Sequence, residues 1–598
     1  MAKYQPDGEE RELLKKVNAM MDMAKSARKK TSDVWRDSEK LYMGEHWAGM
    51  NMPEFKNQLT LDMIANVIDT QIPIMSSKPP KIDVIPVGST DESKYIANVL
   101  QAQLDDLWYM RDMATLVPEW LTDYLVYGTG IVKLGWNMHD DLPDCDIVDP
   151  FSFYVNPSAT KMENAQWVIH MAPRPLYEIK ELFPEKGQYV QPMGKMSEFE
   201  ALKITEVETQ GGKNLTQVTD TEGNNTQYFE GNSEAMQNLE ERALLVEVYM
   251  RDGSLEYTNE TDDEGKKVGK LKYPGGIRKI CMANDIILYD GPSKYQFLDK
   301  INRCPYPFPF VVMKNGGSAH SFWGKPEPKR LKSINLALDR IASQVMDNIH
   351  LMANPMWTVD ETADVVDQIN NKPGSIIRKR GPGQVSMVQP ASMPGYVFNF
   401  YSMLVDMFET VSGVTRSTMG KQEPNVTSGV QAQVYRSAAT NKIDFKARQL
   451  DAAMQIIGQM WIAMIKNMGT EMHSMTMKDT EGNNAEVIYQ GMEFNDVDQM
   501  VRARVGSMLP DNRSYIEEKL LSLAQAGLIQ DPEYILENMQ LPGIERLVSQ
   551  MRDKKKQQEE QQQQQADPAQ FEGMSEDEIF NQLKENPGLM GQMQGPQE

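Results

Sequence analysis

Residues 411–434, VSGVTRSTMGKQEPNVTSGVQAQV, separate two parts of the chain that follow different patterns. The stretch is rich in Gly, Ser and Thr and contains Pro424, a composition typical of a bendable polar loop. Near its end, Ser428 and Gln431 have the spacing of a capping box, so we predict that a helix begins at Ser428. Apolar residues then recur with a helical period as far as Met468, without an intervening proline. Such a helix would be ~60 Å long, which indicates that it crosses a larger assembly or bends.

Before this loop, the sequence predicts two helices on either side of a short β-rich segment. The first helix, 328–353, has an apolar stripe made of Leu331, Ile334, Leu338, Ile341, Val345, Ile349 and Met352. Its other face is polar and carries Lys332, Asp339, Arg340 and Asp347. The second helix begins at Pro394, and its apolar side is formed by Phe400, Met403, Leu404, Met407, Phe408 and Val411.

The segment between these helices, 354–393, contains many turn signals and the densest basic run of this region, Arg378, Lys379 and Arg380. This run is either a solvated hairpin tip or a site for phosphate or an acidic partner, and the residues alone leave both alternatives open.

The N-terminal part of the chain is predicted to be helical and then rich in strands. Helices are expected over 9–45, over 58–72 with an end at Pro73, and from 91 to about 125. A helix end at Gly128 leads into a strand in 125-LVYGTGIVKLGWN-137, and strand and loop follow to about 313. The polar insert at 205–240 has little to bury, so we expect a surface loop.

The C-terminal part is predicted to begin with a strand in 482-GNNAEVIYQGMEF-494. Three short helices then follow at 512–526, 532–539 and 543–560, separated by Gly and Pro signals. The last residues include the Gln-rich tract QQEEQQQQQADPAQ, which is typical of a solvated low-complexity tail.

The composition is that of a globular protein with more than one core. The 598 residues are 40% hydrophobic and 8% aromatic, and 62 basic and 85 acidic residues give a net charge of −23. That charge argues against wrapping nucleic acid but permits a channel that repels a polyanion. Because the three cysteines lie far apart, neither a zinc site nor a disulfide framework is expected, and a reducing compartment fits. No signal peptide and no run of ~18 apolar residues is found, so we predict a chain that is neither secreted nor membrane-spanning.

The sequence contains none of the common catalytic motifs. It has no phosphate-binding loop, no H-E-x-x-H pair and no G-x-S-x-G elbow, and its six histidines never occur at metal-ligand spacing. The carboxylate clusters Asp140–Asp141 and 262–264 are predicted to be solvated turns. We therefore expect no enzyme activity, no cofactor and no metal site.

The order of these parts resembles that of the portal protein of tailed double-stranded DNA bacteriophages. Three stretches carry the resemblance: 123-DYLVYGTGIVKLGW-136, 316-GGSAHSFWGKPEPKRLKSINLALDRI-341 and 409-ETVSGVTRSTMGKQEPNVTSGVQA-432. The resemblance extends over nearly the whole chain to about residue 550.

The resemblance implies an α+β portal fold assembled into a ring. Its parts would be N-terminal wing helices at 1–75, an α+β wing at 76–327, a first stem helix at 328–353, a β-rich clip at 354–393, a second stem helix at 394–412, a tunnel loop at 413–427, a long wing helix at 428–468, wing strands at 469–510, a helical crown at 511–555 and a Gln-rich tail at 556–598.

The resemblance also implies which residues act. The tunnel loop would contact DNA through Arg416, Ser417, Thr418 and Lys421, with Gly413 and Gly420 as its hinges, and the clip would dock partners through Arg378, Lys379 and Arg380.

The implied function is mechanical. A ring of twelve subunits at a capsid vertex would nucleate procapsid assembly and dock the large subunit of the terminase. It would also conduct double-stranded DNA during packaging and ejection, and bind head-completion or tail adaptor proteins. Major capsid and scaffolding proteins would be further partners, DNA would be bound without sequence specificity, and no membrane would be involved. The protein would occupy the virion vertex, and the host cytoplasm during assembly. Two other classes remain open: a non-catalytic virion or scaffold protein of another kind, and a DNA-processing enzyme.

Overall fold

The computed structural model describes most of the first 503 residues. The described residues are 4–53, 56–77, 82–88, 90–192, 215–219, 225–229, 242–261, 267–353, 356–363, 365, 378, 380–388, 393–414, 429–478, 484–495, 499–503 and 524–525. The chain divides into two compact units, Met1–Leu509 and Pro510–Glu598. Only residues 524 and 525, which are helical, are described in the second unit. The predicted crown helices and Gln-rich tail therefore otherwise lie outside the described residues.

Four helices form the N-terminal part of the first unit: α1 (Gly8–Tyr42), α2 (Met63–Met75), α3 (Asp91–Met110) and α4 (Met113–Val126). A capping box between Asp7 and Glu10 starts α1, because each satisfies a backbone amide of the other. The predicted helix at 9–45 is thus confirmed. The helix predicted from 91 to about 125 is instead two helices, since the left-handed backbone of Asp112, at φ 44°, interrupts it.

The end predicted for the second helix is wrong. Pro73 lies inside α2, which continues to Met75. Proline removes one backbone hydrogen bond, but the complete burial of Met75 offsets this loss and holds the last turn in place.

Two antiparallel sheets follow the helices. Their strands are β2 (Thr129–Asn137), β3 (Leu142–Val148), β4 (Phe153–Val155), β5 (Trp167–Pro175), β8 (Arg242–Arg251), β11 (Ile277–Ala283), β12 (Ile286–Pro292) and β13 (Phe310–Lys314). The larger sheet has the order β12-β11-β8-β5-β4 and the smaller sheet the order β13-β2-β3. The helix end at Gly128 and the strand after it are confirmed.

Five two-stranded pairs complete the described strands. They are β1 (Ile82–Pro86) with β18 (Gln499–Ala503), β6 (Leu215–Thr219) with β7 (Asn225–Phe229), β9 (Leu255–Thr261) with β10 (Lys267–Leu271), β14 (Met356–Val359) with β15 (Val385–Val388), and β16 (Met472–Lys478) with β17 (Asn484–Gln490). The insert at 205–240 is therefore not only loop, because β6 and β7 form a hairpin within it. Its alternating Thr, Val, Tyr and Phe favour strands despite the polar surroundings.

A buried arginine attaches α1 to the larger sheet. The guanidinium of Arg28 donates to the carbonyl oxygens of Pro150, Phe151 and Phe153, at 2.9, 2.8 and 2.5 Å. Three acceptors around one planar cation satisfy most of its donors, which makes the burial of this charge tolerable. The apolar face of α1, including Leu14 and Val17, packs on the same sheet.

A second buried charge cluster lies between the two sheets. Glu247 of β8 accepts hydrogen bonds from Lys133 of β2 and, at 2.8 Å, from Lys279 of β11, while His170 of β5 lies beside it. Burial alone would raise the pKa of Glu247, but the hydrogen bond with His170 and the charges of both lysines lower it well below its ordinary value. His170 thus takes part in a buried polar cluster between the sheets.

The largest core surrounds the long helix. The remaining helices are α5 (Leu176–Leu182), α6 (Glu327–Ala353), α7 (Tyr396–Ser412) and α8 (Gly429–Met468). The six consecutive residues 460–465, near the end of α8, are all buried, as expected of a helix that passes through a core rather than lying on a surface. The 40-residue length of α8 confirms the predicted long helix, although Ser428 lies outside the described residues.

Candidate functional site

The candidate site is formed by α6, α7, the β14–β15 hairpin between them and the start of the loop that follows α7. The predicted helices at 328–353 and 394–412 agree with α6 and α7. Between them, β14 and β15 pair antiparallel from Met356 opposite Val388 to Val359 opposite Val385. The predicted order of helix, β segment, helix and long helix is therefore confirmed at the level of secondary structure, whereas the predicted loop lies outside the described residues after Val414.

A buried ion pair connects the start of α6 to α8. The Oε1 atom of Glu327 lies 3.0 Å from Nζ of Lys446, and both side chains are buried. Lys446 also donates to Oε1 of Gln71 in α2, at 2.8 Å. Burial lowers the pKa of Lys446, although Glu327 opposes this effect. Because an isolated charge here would be costly, the pair holds three helices in one arrangement.

The end of α7 is attached to the same long helix. Gly413 ends α7 with a left-handed backbone, at φ 75°, and its amide donates to the carbonyl of Glu409 at 2.9 Å. Nζ of Lys442 donates to the carbonyl of Thr410 at 2.6 Å, and Val414 is completely buried. A Cβ atom at position 413 would lie 2.6 Å from Cδ of Lys442. The loop therefore leaves α7 from a fixed point that requires glycine.

Residues 57–61 form an extended segment, here called the strap, that runs along α6. The amides of Asn57, Leu59 and Leu61 donate to side-chain oxygens of Asp347, Ser343 and Asp339, each at 2.9 Å. Four helical residues advance ~6 Å and two extended residues advance ~6.6 Å, so every second strap amide meets every fourth helical side chain. The first helix has the predicted polar face, but solvent does not cover all of it. Asp339 is completely buried and binds the strap rather than solvent.

A buried histidine completes the contact between the strap and α6. Nδ1 of His46 lies 2.7 Å from Oδ2 of Asp339, and Nε2 lies 2.9 Å from the carbonyl oxygen of Leu41. The nearest partner of each nitrogen is an acceptor, and Nδ2 of Asn335, 3.2 Å from Nδ1, donates to Oδ2 of Asp339 and to the carbonyl of Leu61. The geometry therefore favours an imidazolium with a proton on each nitrogen. Burial alone would lower the pKa of His46, but the hydrogen bond and charge of Asp339, with the Leu41 carbonyl and Asp62, raise it above its ordinary value.

The turn between β2 and β3 also differs from its prediction. Asp141 was expected to be solvated, but its Oδ2 accepts hydrogen bonds from the amides of Thr470 and Glu471, both at 2.7 Å. Asp140 lies 2.8 Å from Nη1 of Arg111. The turn thus binds the chain just after α8 ends. No local pattern could reveal this partner, because it lies more than 300 residues away along the chain.

The structure places only some of the predicted site residues. Arg416, Ser417, Thr418, Gly420 and Lys421 lie outside the described residues, as does Lys379. Arg378 and Arg380 are exposed and precede the turn at 381–383, outside helix and strand.

The described residues include no group of three or more His, Cys, Asp or Glu side chains that could hold a metal ion. Within the same part of the chain, no helix combines the length and apolar character needed to span a bilayer.

Neither the strap nor the His46–Asp339 pair was predicted. The helix predicted over 58–72 was wrong at its start as well, because α2 begins only at Met63 and residues 58–61 belong to the strap. One half of the signal was visible, since Asp339, Ser343 and Asp347 recur every four residues along one helix. The partner of these side chains could not be recognised, because any extended segment offers alternate backbone amides whatever its sequence.

Comparison with known proteins agrees with this architecture. A search of curated protein sequences found no matching relative. A family model described as phage P22-like portal protein matches residues 15–594, nearly the full length of the chain. The matched residues include α6, the β14–β15 hairpin, α7 and α8. The chain therefore belongs to the family of P22-like phage portal proteins.

Proposed function

We propose that twelve copies of this chain form a ring at one capsid vertex and that double-stranded DNA passes through its centre. Membership of the portal family implies a ring oligomer at the vertex and passage of DNA in general. The observation that carries the proposal is the match over residues 15–594, supported by the order of α6, the β hairpin, α7 and α8.

In this proposal each part of the chain has a role. The two stem helices are α6 and α7, the segment 354–393 is the clip, 413–427 is the tunnel loop and α8 is the long wing helix. The rest of the wing comprises 1–75, 76–327 and 469–510. Residues 511–555 form the crown, and the tail follows at 556–598.

The clip docks the large terminase subunit during packaging, and head-completion or tail adaptor proteins afterwards, through Arg378, Lys379 and Arg380. The exposure of Arg378 and Arg380 supports this role. The ring also nucleates the procapsid with major capsid and scaffolding proteins. ATP hydrolysis belongs to the terminase, and this chain makes and breaks no bonds.

The tunnel loop is proposed to contact passing DNA weakly. Arg416 and Lys421 are its only cations, with Ser417 and Thr418 as polar contacts. Few phosphate contacts release few counterions, so DNA gains little binding energy that would oppose sliding. Gly413 and Gly420 are the proposed hinges. Thr410 and Val414 are both attached to the rest of the chain, so movement about Gly413 requires Val414 to leave the core.

The net charge suits this role. Twelve chains of −23 each carry a formal charge of −276. If part of this charge lines the channel, it repels the DNA backbone and keeps the duplex away from the wall.

Light scattering on the purified protein tests the proposal. Twelve chains of 68.0 kDa give a mass of 816 kDa, and negative-stain images should show rings with a central hole. A stable dimer or trimer would contradict the ring. Turnover of ATP or DNA by the pure chain would instead support the enzyme alternative.

A further inference from the structure

Five large apolar side chains are exposed on chain segments that meet near the end of α8. They are Met110, Met138, Met472, Ile488 and Met492, which are 56%, 77%, 75%, 66% and 46% exposed. We call this group the methionine patch. Exposed apolar side chains that adjoin one another mark a site of interaction, whereas scattered ones need no explanation.

The turn that carries Met138 is fixed beside the start of β16. Oδ2 of Asp141 accepts hydrogen bonds from the amides of Thr470 and Glu471, both at 2.7 Å. Met138 lies just before Asp141 in the turn between β2 and β3, and Met472 directly follows Glu471. The two most exposed methionines of the patch therefore belong to segments in direct contact, although they are distant in sequence.

Ile488 and Met492 belong to the strand paired with β16 and to the turn after it. The register of β16 and β17 makes Met472 and Ile488 diagonal neighbours on one face of the pair, opposite the face that buries Tyr489. Diagonal neighbours in an antiparallel pair lie within reach of long side chains. The amide of Met492 donates to the carbonyl of Gly469 at 3.1 Å, which fixes Met492 close to the chain just before β16.

Met110 joins the patch from the end of α3. Gln103 of α3 accepts a hydrogen bond from the hydroxyl of Tyr489. Met110 lies two helical turns further, ~10 Å along nearly the same side of α3. Nη1 of the next residue, Arg111, lies 2.8 Å from Oδ2 of Asp140 in the turn between β2 and β3. The end of α3 is therefore beside that turn, on the side of the helix that faces β17.

The charge around the methionine patch is negative. Four exposed acids adjoin a patch residue in sequence, share its strand face or lie one helical turn from it: Glu471, Glu493, Glu486 and Asp106. Arg111 is the only Lys or Arg in the described segments that form the patch, which are 105–112, 137–144, 470–475 and 486–495. Lys478, at the far end of β16, lies ~20 Å from Met472. The patch therefore favours a positively charged partner and disfavours DNA.

We propose that the methionine patch binds an amphipathic helix of another protein, one that carries Lys or Arg beside its apolar face. Methionine side chains are unbranched and adapt to apolar partners of different shape, which suits a groove or surface that receives such a helix. The surrounding acids would pair with the cations of the helix and speed its approach. The inference goes beyond the proposed function, and all five side chains belong to one chain, so it does not depend on the number of copies in the ring.

Binding of model peptides tests the inference on the full chain. The probes are two fluorescein-labelled peptides of about five helical turns, with leucine on one face and either lysine or glutamate on the other. Fluorescence anisotropy at ~0.15 M salt measures the affinity of each peptide. We expect the leucine–lysine peptide to bind at least about tenfold more tightly than the leucine–glutamate peptide. Equal affinities, or no binding of the leucine–lysine peptide at micromolar protein, would overturn the inference.

Matched substitutions locate the binding site. Met138→Ser with Met472→Ser removes the two most exposed side chains of the patch. Met23→Ser with Met43→Ser is the control, because these methionines of α1 and the residue after it are 52% and 56% exposed. We expect the patch variant to bind the leucine–lysine peptide about tenfold more weakly and the control to bind it as wild type does. Circular dichroism verifies that both variants fold. Equal affinities of the two variants would place the peptide elsewhere and overturn the inference.

Charge and assembly separate the remaining possibilities. Glu471→Gln with Glu493→Gln should weaken binding of the leucine–lysine peptide by about threefold and reduce its salt dependence, since two acids are lost. An unchanged salt dependence would contradict the preference for a cationic helix. If the Met138→Ser, Met472→Ser variant changes the mass of the assembled protein and the control does not, the patch is a contact between copies, which would also overturn the inference. Failure of the wild type to form rings would contradict the proposed function alone, because peptide binding is measured whatever the assembly state.

Discussion

Replacing Asp339 tests whether a buried charge pair holds the strap on α6. Asp339→Asn keeps the shape of the side chain, and its amide oxygen can still accept the Leu61 amide. Its NH₂ group, however, would face Nδ1 of His46, which lies 2.7 Å from the present carboxylate. The imidazolium must then lose its partner or its proton. Loss of a charge-assisted hydrogen bond costs about 1.5–3 kcal/mol. Asp339→Ala also leaves the Leu61 amide without its acceptor, which brings the expected loss to about 3–5 kcal/mol.

The pH dependence identifies the charge pair more specifically than the magnitude does. The pKa of His46 is raised in the folded protein, so the pair contributes its full stability below the ordinary value of 6.5. That contribution is lost as pH rises through the raised pKa. Asp339→Asn removes the cause of the raised pKa, and the variant gains no such stability at low pH. The stability difference between wild type and Asp339→Asn should therefore be largest near pH ~6 and shrink towards pH ~9.

Urea unfolding across this pH range, at a fixed assembly state, measures the effect. Asp347→Asn is the matched control, because it changes the other end of the strap, where Asn57 donates to Asp347 and no histidine is in contact. We expect it to cost about 1 kcal/mol with no comparable pH dependence. Equal losses for Asp339→Asn at both ends of the range would refute the proposed imidazolium–carboxylate pair.

Three further substitutions test other contacts. Gly413→Ala should lower the free energy of unfolding by about 1–2 kcal/mol, because alanine disfavours φ 75° and its Cβ would meet the side chain of Lys442. A lower thermal midpoint than that of Gly420→Ala would show this loss. Asp141→Ala should cost about 2–4 kcal/mol in urea unfolding, since two backbone amides lose their acceptor, and a loss below ~0.5 kcal/mol would contradict the hydrogen bonds described. Lys446→Met should cost about 2–4 kcal/mol, because Oε1 of the buried Glu327 loses its cation while Oε2 keeps Arg330 at 3.4 Å, and adding Glu327→Gln should recover part of that loss. A double variant no more stable than the single one would refute the pairing.

The helices α6, α7 and α8 could be predicted because the apolar pattern that indicates a helix is local in sequence. A helix brings together side chains three and four residues apart, so the apolar period of α6, α7 and α8 is visible in the sequence itself. Errors occurred where tertiary contacts outweighed local preference. Burial of Met75 carried α2 past Pro73, and the left-handed Asp112 divided a helix whose apolar pattern appeared continuous.

The candidate site was less predictable, because its polar contacts join distant parts of the chain. Asp339 and Asp141 both belonged to polar stretches that favoured solvent, yet each accepts backbone amides from segments hundreds of residues away. A carboxylate meets its hydrogen-bond donor only after the chain has folded, and its neighbours in sequence do not indicate which donor that is.

Sequence alone thus determined the order and length of the principal helices, the absence of common catalytic motifs, and the resemblance that the family match over residues 15–594 bears out. Tertiary structure alone decided which polar groups are buried and paired, that the strap lies along α6, and that the methionine patch gathers exposed side chains from distant segments. The physical reason is the range of the forces involved. Backbone geometry and apolar period act over a few residues, whereas burial and the satisfaction of polar groups depend on every segment that the fold brings together.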